Sequence, residues 1–379
     1  MIILMAIFWY GLIPIAGAFA ERHRWRVFRR RFGELRTRPF LDYTALVQSG
    51  DRAEEYRFCG ALESVGSNGI LWIRSGDLTV QADLRGVRIY VFPNIGEENP
   101  LISDPGVEVP ERIRWDRIPA LTGEAKVFIG GALDKRENRR MFASLPEKPL
   151  LVIFYEGSER ALAIKTVRAG RHRNEFFNFL TPYAFILGAF SQLLIALSLL
   201  SRPALRLNMI FAFIALFAPL IAWIPPGILF TLVYRRLWWR ARIYRSYRDL
   251  ARFPLDYLAG GETSGLLPDG EVYVLRQYDA LPPEYYKKKP PFFIPAGEKR
   301  MKDKWLVFGS LREPEEDGFP AEPKDSFAVS GVLPGDPESL ARRYTRKAYG
   351  LEIISWLFLL AGMGINVFFI SLILSLLRL

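Results

Sequence analysis

Cysteine and histidine are almost missing from this 379-residue chain, which has Cys59 as its single thiol and only His23 and His172 as imidazoles. One thiol closes no disulfide within a chain, and a structural zinc site needs four ligands drawn mainly from Cys and His. Also missing are a glycine-rich phosphate loop ending in Lys-Ser/Thr, a Gly-x-Ser-x-Gly elbow and a His-Glu-x-x-His pair. The expectation is therefore no metal, no cofactor and no catalytic residue. Asp77, Asp83, Asp116 and Glu124 fall near strand ends, and Ser144 with Lys148 in a polar stretch; solvated turn residues explain them more simply than acid–base or serine–lysine chemistry.

Charge is absent from four long runs, Ile2–Ala20, Phe176–Leu200, Leu207–Tyr234 and Ile353–Leu377. At about 1.5 Å per residue each can cross ~30 Å of hydrocarbon as a helix. Ala18-Phe19-Ala20 has the small-residue look of a cleavage site, yet eight arginines follow the first run and no positive charge precedes it. That polarity favours an uncleaved reverse anchor over residues 1–20. With no ionisable group inside the runs, a transport path is not expected. Gln192, Asn208 and Asn366 can bond between helices, Ala184 and Gly188 offer a small contact face, and Pro219, Pro225 and Pro226 should bend or end the third span, 207–234.

The net charge of +11 is concentrated beside these runs. Basic residues crowd Arg22–Arg38, Lys165–Arg173, Arg235–Arg252 and Arg342–Lys347, whereas the other side has only Arg202, Arg206 and Arg378. The positive-inside rule then puts both large loops in the cytoplasm and both termini outside a cell (inner) membrane. Because the rest of the chain is net acidic, the partner implied is an anionic bilayer rather than nucleic acid. The expected headgroup-level residues are Arg24, Arg26, Arg29, Arg30, Arg168, Arg235, Arg236, Trp238, Trp239, Arg240, Arg342, Arg343 and Arg346.

Between the apolar runs the texture is β. In residues 41–157, the stretches Tyr56–Glu63, Ile70–Arg74, Leu78–Asp83, Val87–Phe92, Ile113–Ile118, Ala125–Gly131 and Leu150–Tyr155 are β-branched or aromatic and bounded by turn residues. They predict a small barrel or sandwich, with Pro93–Pro110 as a long loop. A smaller module over 254–335 has Glu271–Gln277, Trp305–Leu311 and Phe327–Leu333 as strands. Its lysine run Lys287–Lys289, among Tyr285, Tyr286, Phe292 and Phe293, reads equally as membrane contact or solvated loop.

Residues 157–168 align without gaps on 335–346, and both copies follow the last strand of a module. Ser158 and Asp336 are suited to N-caps, with Glu159 and Glu338 in the first turn and Pro337 at its first position. The prediction is a capped basic helix that continues into a span each time, over 158–200 and 336–377. Gly123–Ile129 against Gly270–Leu275 repeats more faintly upstream. The fold class expected is thus a membrane α + β protein, four transmembrane helices carrying two β-rich modules.

A strand such as Gly123–Gly131, a polar excursion over Asp134–Phe142, a closing strand at Pro149–Tyr155 and a basic helix entering a span resemble the GIDE domain, the β-rich, membrane-adjacent module of mitochondrial E3 ubiquitin ligases that also occurs in prokaryotic membrane proteins. The resemblance covers roughly residues 42–200 and, more weakly, 255–379. It implies a module for interaction or sensing beside the membrane. The ligases' activity resides in a separate zinc-binding RING, for which this chain lacks the ligands. The leading expectation is a scaffold, sensor or interaction protein with a membrane or cytoplasmic protein partner; an enzyme acting on a lipid or membrane protein and an accessory subunit of a membrane complex are the alternatives.

Overall fold

The computed structural model describes residues 1–48, 54–66, 68–92, 110–120, 125–136, 139–171, 175–258, 262–280, 305–311 and 319–376. Most of the loop 93–110, the lysine run 287–289 with its aromatic neighbours, and Glu124 and His172 lie outside them. The chain forms two compact units, one of Met1–Arg26, Arg171–Arg245 and Tyr344–Leu379, the other of Val27–Gly170 and Ser246–Arg343.

The second unit contains both β regions. Strands β1 (Glu55–Val65), β2 (Ile70–Ser75), β3 (Leu78–Asp83), β4 (Ile89–Val91), β5 (Glu111–Ile113), β6 (Lys126–Arg136), β7 (Arg139–Ala143) and β8 (Leu151–Tyr155) form one sheet. Most of the expected stretch Ile113–Ile118 is instead a 3-10 turn, Trp115–Ala120. β7 falls where a polar excursion was expected, because β6 runs on to Arg136 and pairs it back as a hairpin. β1 pairs with β2 and, through its first half, with β6, so β1-β2-β3-β7-β6 closes on itself. A bulge between Leu62 and Ser64 lets one strand serve both neighbours. The ring order, with a parallel contact of Ala82 to Phe142 between its third and fifth strands, is that of an OB-type Greek-key barrel, which by itself says nothing of function.

Alternate residues fill the barrel, among them Phe58, Ile73, Val80, Val127, Ile129 and Phe142. The opposite face of β1 and β6 is buried too. Helix α2 (Ile13–Arg36) lies there, its Phe32 ring 5.3 Å from Phe128 and Phe28 4.2 Å from Tyr90. Leu35 sits where a side chain at Gly130 would stand, so only glycine admits the helix this close.

The second sheet has the order β12-β11-β10-β9, from Ser264–Leu266 (β9), Val272–Tyr278 (β10), Trp305–Leu311 (β11) and Gly331–Leu333 (β12). The repeat extends into both sheets, in a register that differs from the fainter upstream match. Tyr155, three residues before the Ser158 cap, pairs with Lys126, which pairs with Ala61; Leu333, three before Asp336, pairs with Leu306, which pairs with Gln277. β6 therefore corresponds to β11 and not to β10. This register superposes Val127-Phe128 on Val307-Phe308 and Glu55 on Glu271.

Among the described residues, three helical stretches are long and apolar enough to cross a membrane: Ile2–Arg36, Thr181–Leu200 and Pro337–Ile373. The first comprises α1 (Ile2–Ile7), a π-helical stretch Phe8–Leu12 and α2. The expected third span is not one helix. It consists of α6 (Arg206–Leu216), α7 (Ala218–Ile221) and the start of α8 (Gly227–Arg252), interrupted where Pro219, Pro225 and Pro226 cannot donate to the ladder. Asn366 of α9 (Pro337–Leu376) serves the break, donating to the Ile221 and Ile224 carbonyls at 2.5 and 2.7 Å and accepting from Gly227 N–H at 3.2 Å.

Candidate functional site

A basic and aromatic surface of the first unit follows α8. Leu229, Leu232 and Val233 are exposed on its outer side, followed by exposed Arg235, Arg236, Trp239 and Arg240. From Leu229 to Arg240 the helix rises ~16 Å, so one face passes from apolar to basic within three turns. Its inner face carries Tyr234, Trp238 and Arg242. Trp238 packs at 5.8 Å from Phe176 and 6.3 Å from Trp356, and Arg242 lies 4.4 Å over its ring.

A buried carboxylate orders this inner face. Glu175 binds Arg242 at 3.0 Å and also Arg22, while Arg245 grips Glu352 through two bonds of 2.6 and 2.5 Å. Two-point guanidinium–carboxylate bonds fix orientation as well as charge. The pairs tie the end of the first run, the start of the second, α8 and α9 together within one unit.

The expected headgroup residues divide into two groups. Arg26, Arg30, Arg235, Arg236, Trp239, Arg240, Arg342 and Arg346 are exposed. Arg24 and Arg343 are half-buried, Arg24 beside Glu21 at 3.4 Å and over the Phe179 ring at 4.9 Å. Trp238 and Arg168 are buried, and Arg29 donates to the Ala169 carbonyl. On a helix with partners on one side, an arginine every three or four residues must meet protein on part of its circumference. Ser158 and Asp336 do cap their helices: Ser158 accepts from Ala161 N–H at 3.2 Å, and Asp336 from Ser339 N–H at 2.8 Å.

Arginines also join the two sheets of the second unit. Arg57 and Asp325, both buried, share bonds of 3.0 and 2.5 Å, and Arg57 donates to the Arg38 carbonyl at 2.7 Å. Arg36 binds Asp256 and lies 3.4 Å over the Phe253 ring, Arg160 binds Glu322, and Ser326 donates to Glu159. Phe327 completes the seam, 5.1 Å from Phe128 and 6.3 Å from Phe32. Sequence reasoning missed this seam. An arginine alternating with apolar residues on β1 was the available signal, and it reads equally as a solvated face.

Cys59 lies beside the seam. Burial, then the nearby Glu159 carboxylate, pushes its thiol well above the ordinary range, and burial pushes the Tyr155 phenol up as well. Such a thiol is neutral and a poor nucleophile. Among the described residues no three His, Cys, Asp or Glu side chains gather as a metal site. No protein family, curated protein or solved structure matches the chain.

Proposed function

We propose that the protein is a multi-pass scaffold or sensor of the cell (inner) membrane, presenting its barrel and second sheet to a protein partner at the cytoplasmic face. The observation that carries this reading is the outer face of α8, apolar at Leu229, Leu232 and Val233 and then basic and aromatic from Arg235 to Arg240. Exposed Phe190, Leu194, Phe211, Leu357 and Phe368 on α5 (Thr181–Leu200), α6 and α9 form the apolar surface a bilayer would cover. Four passes bring both termini outside, the third crossing being α6, α7 and the start of α8. Irregular backbone is tolerated at membrane depth where protein satisfies it, as Asn366 does here. The GIDE-like reading belongs to this proposal as an architecture, a β-module followed by a capped basic helix, without ligase chemistry.

Topology is tested on a full-length Arg74→Cys variant, since Arg74 is exposed on β2 and Cys59 is buried. An impermeant maleimide should modify it only after permeabilisation. Modification in intact cells would reverse the orientation. Crosslinking at native expression should recover a reproducible protein partner; the purified full chain turning over a lipid or peptide with no partner recovered would favour an enzyme.

A further inference from the structure

We propose that Arg22 and the indole N–H of Trp238 form a site for a phosphodiester oxyanion, occupied by a single anionic glycerophospholipid; the lipid part rests on the membrane reading above. Both residues belong to the first unit. Trp238 is 5% exposed, and its Nε1 is buried without a hydrogen-bond partner among the described residues. Around its ring stand Phe176 at 5.8 Å, Tyr234 at 5.9 Å and Trp356 at 6.3 Å, with the guanidinium groups of Arg22 at 5.7 Å and Arg242 at 4.4 Å. None of them accepts from the indole. A buried donor left without an acceptor is costly, and a ligand that supplies one relieves that cost.

The same neighbourhood is short of negative charge. Glu175 already accepts at both oxygens, from Arg22 Nε and Arg242 at Oε2 and from Arg242 again at Oε1, so two cations share one carboxylate. The residues leading to it, from Gly170 to Asn174, contain no acid. Arg22 spends Nε alone on Glu175, and with 31% of its side chain exposed it keeps its two outer nitrogens for an anion. A water would bring two donors to a cluster made of donors, whereas an oxyanion brings only acceptors and a compensating charge.

The source of the oxyanion follows from where the cluster lies within its own unit. Arg22 comes two residues after the first apolar run, Glu175 and Glu352 immediately before the second and fourth, and Trp238 four after the third. The cluster thus marks an end common to all four runs, which on the membrane reading is the level of the lipid phosphates. Phe19, 64% exposed and with its ring 6.0 Å from the Arg22 guanidinium, offers apolar surface on the side of the run for the attached acyl chain. A free phosphate gains nothing from that surface.

Native mass spectrometry of the detergent-solubilised full chain reads the site, with phosphatidylglycerol, phosphatidylcholine and inorganic phosphate as probes. One phosphatidylglycerol should stay bound in preference to phosphatidylcholine, whose choline carries the wrong charge. Trp238→Phe keeps an aromatic ring and removes the N–H, and should weaken retention about tenfold. Trp239→Phe, on the exposed face, should leave it unchanged, and circular dichroism should show both variants as helical as the parent. Equal retention by Trp238→Phe and the parent, or no preference between the two lipids, would overturn the site. Displacement of phosphatidylglycerol by inorganic phosphate would overturn the lipid as its occupant. Bimane on Phe190→Cys, read against acyl-chain nitroxide in nanodiscs, separates the two claims: without quenching the membrane reading itself fails, and with quenching but no retained lipid only the site does.

Discussion

The two copies of the three-strand, capped-helix unit share a register and end differently. In the first, α4 (Glu159–Arg168) stops at once, because Ala169 is extended at ψ 132° and Gly170 takes φ +71°, a conformation that favours glycine. The apolar run resumes separately at Thr181, on α5. In the second copy, α9 runs for 40 residues without a break. Equivalent caps and strands therefore specify how a helix starts, and a single downstream glycine decides whether it joins the next apolar run rigidly. The helix expected over 158–200 is for this reason two helices, Glu159–Arg168 and Thr181–Leu200, whereas Pro337–Leu376 is one.

The seam between the copies offers the largest test. Asp325→Ala leaves Arg57 buried and uncompensated, so it should cost about 3–5 kcal/mol by chemical denaturation, whereas Arg57→Met with Asp325→Leu should stay near the parent. A single substitution as harmless as the double would mean that the copies fold without this joint.

The caps test equivalence at smaller scale. Ser158→Ala and Asp336→Ala each remove one bond to a first-turn amide and should each cost about 1 kcal/mol. Hydrogen exchange should show the first loss confined to α4 and the second limited to the first turns of α9, whose packing holds the rest. Equal spread along both helices would erase the distinction between a short helix and a long one.

The smallest effect concerns the superposed glutamates. Burial raises the carboxyl of Glu271, but bonds from Ser310 and Lys324 outweigh it and hold the group below the ordinary range. A carboxyl depressed in the folded state contributes stability above its unfolded range, and that contribution is lost as pH falls through the folded value. Acid melts should therefore lose a fraction of a kcal/mol that Glu271→Gln has already lost. Glu55 occupies the same register but is held by Arg31 and Arg38, so Glu55→Gln should act through lost ion pairs at neutral pH.

The sequence made most strands, both caps and the apolar runs legible, because each rests on local patterns of period two, period 3.6 or side-chain chemistry. Ring closure was not legible, since it depends on one bulged strand serving two partners. The arginines misled for a related reason. Arg24 and Arg26 are indistinguishable in the chain from Arg36 and Arg57, and only packing shows that the latter pair is buried against carboxylates. Gln192 and Asn366 do bond between helices, Gln192 to the Ile2 carbonyl at 3.0 Å, while Asn208 is exposed.

Asn366 gives the bundle an order of assembly. Ribosomes deliver a chain from its N-terminus, and the amide that completes the turn at Gly227 arrives 139 residues after it. Until α9 docks, the Gly227 N–H is without that acceptor, and the Ile221 and Ile224 carbonyls keep only their local backbone bonds. The place of this broken stretch in the fold is provisional while those 139 residues are made and becomes permanent when α9 follows.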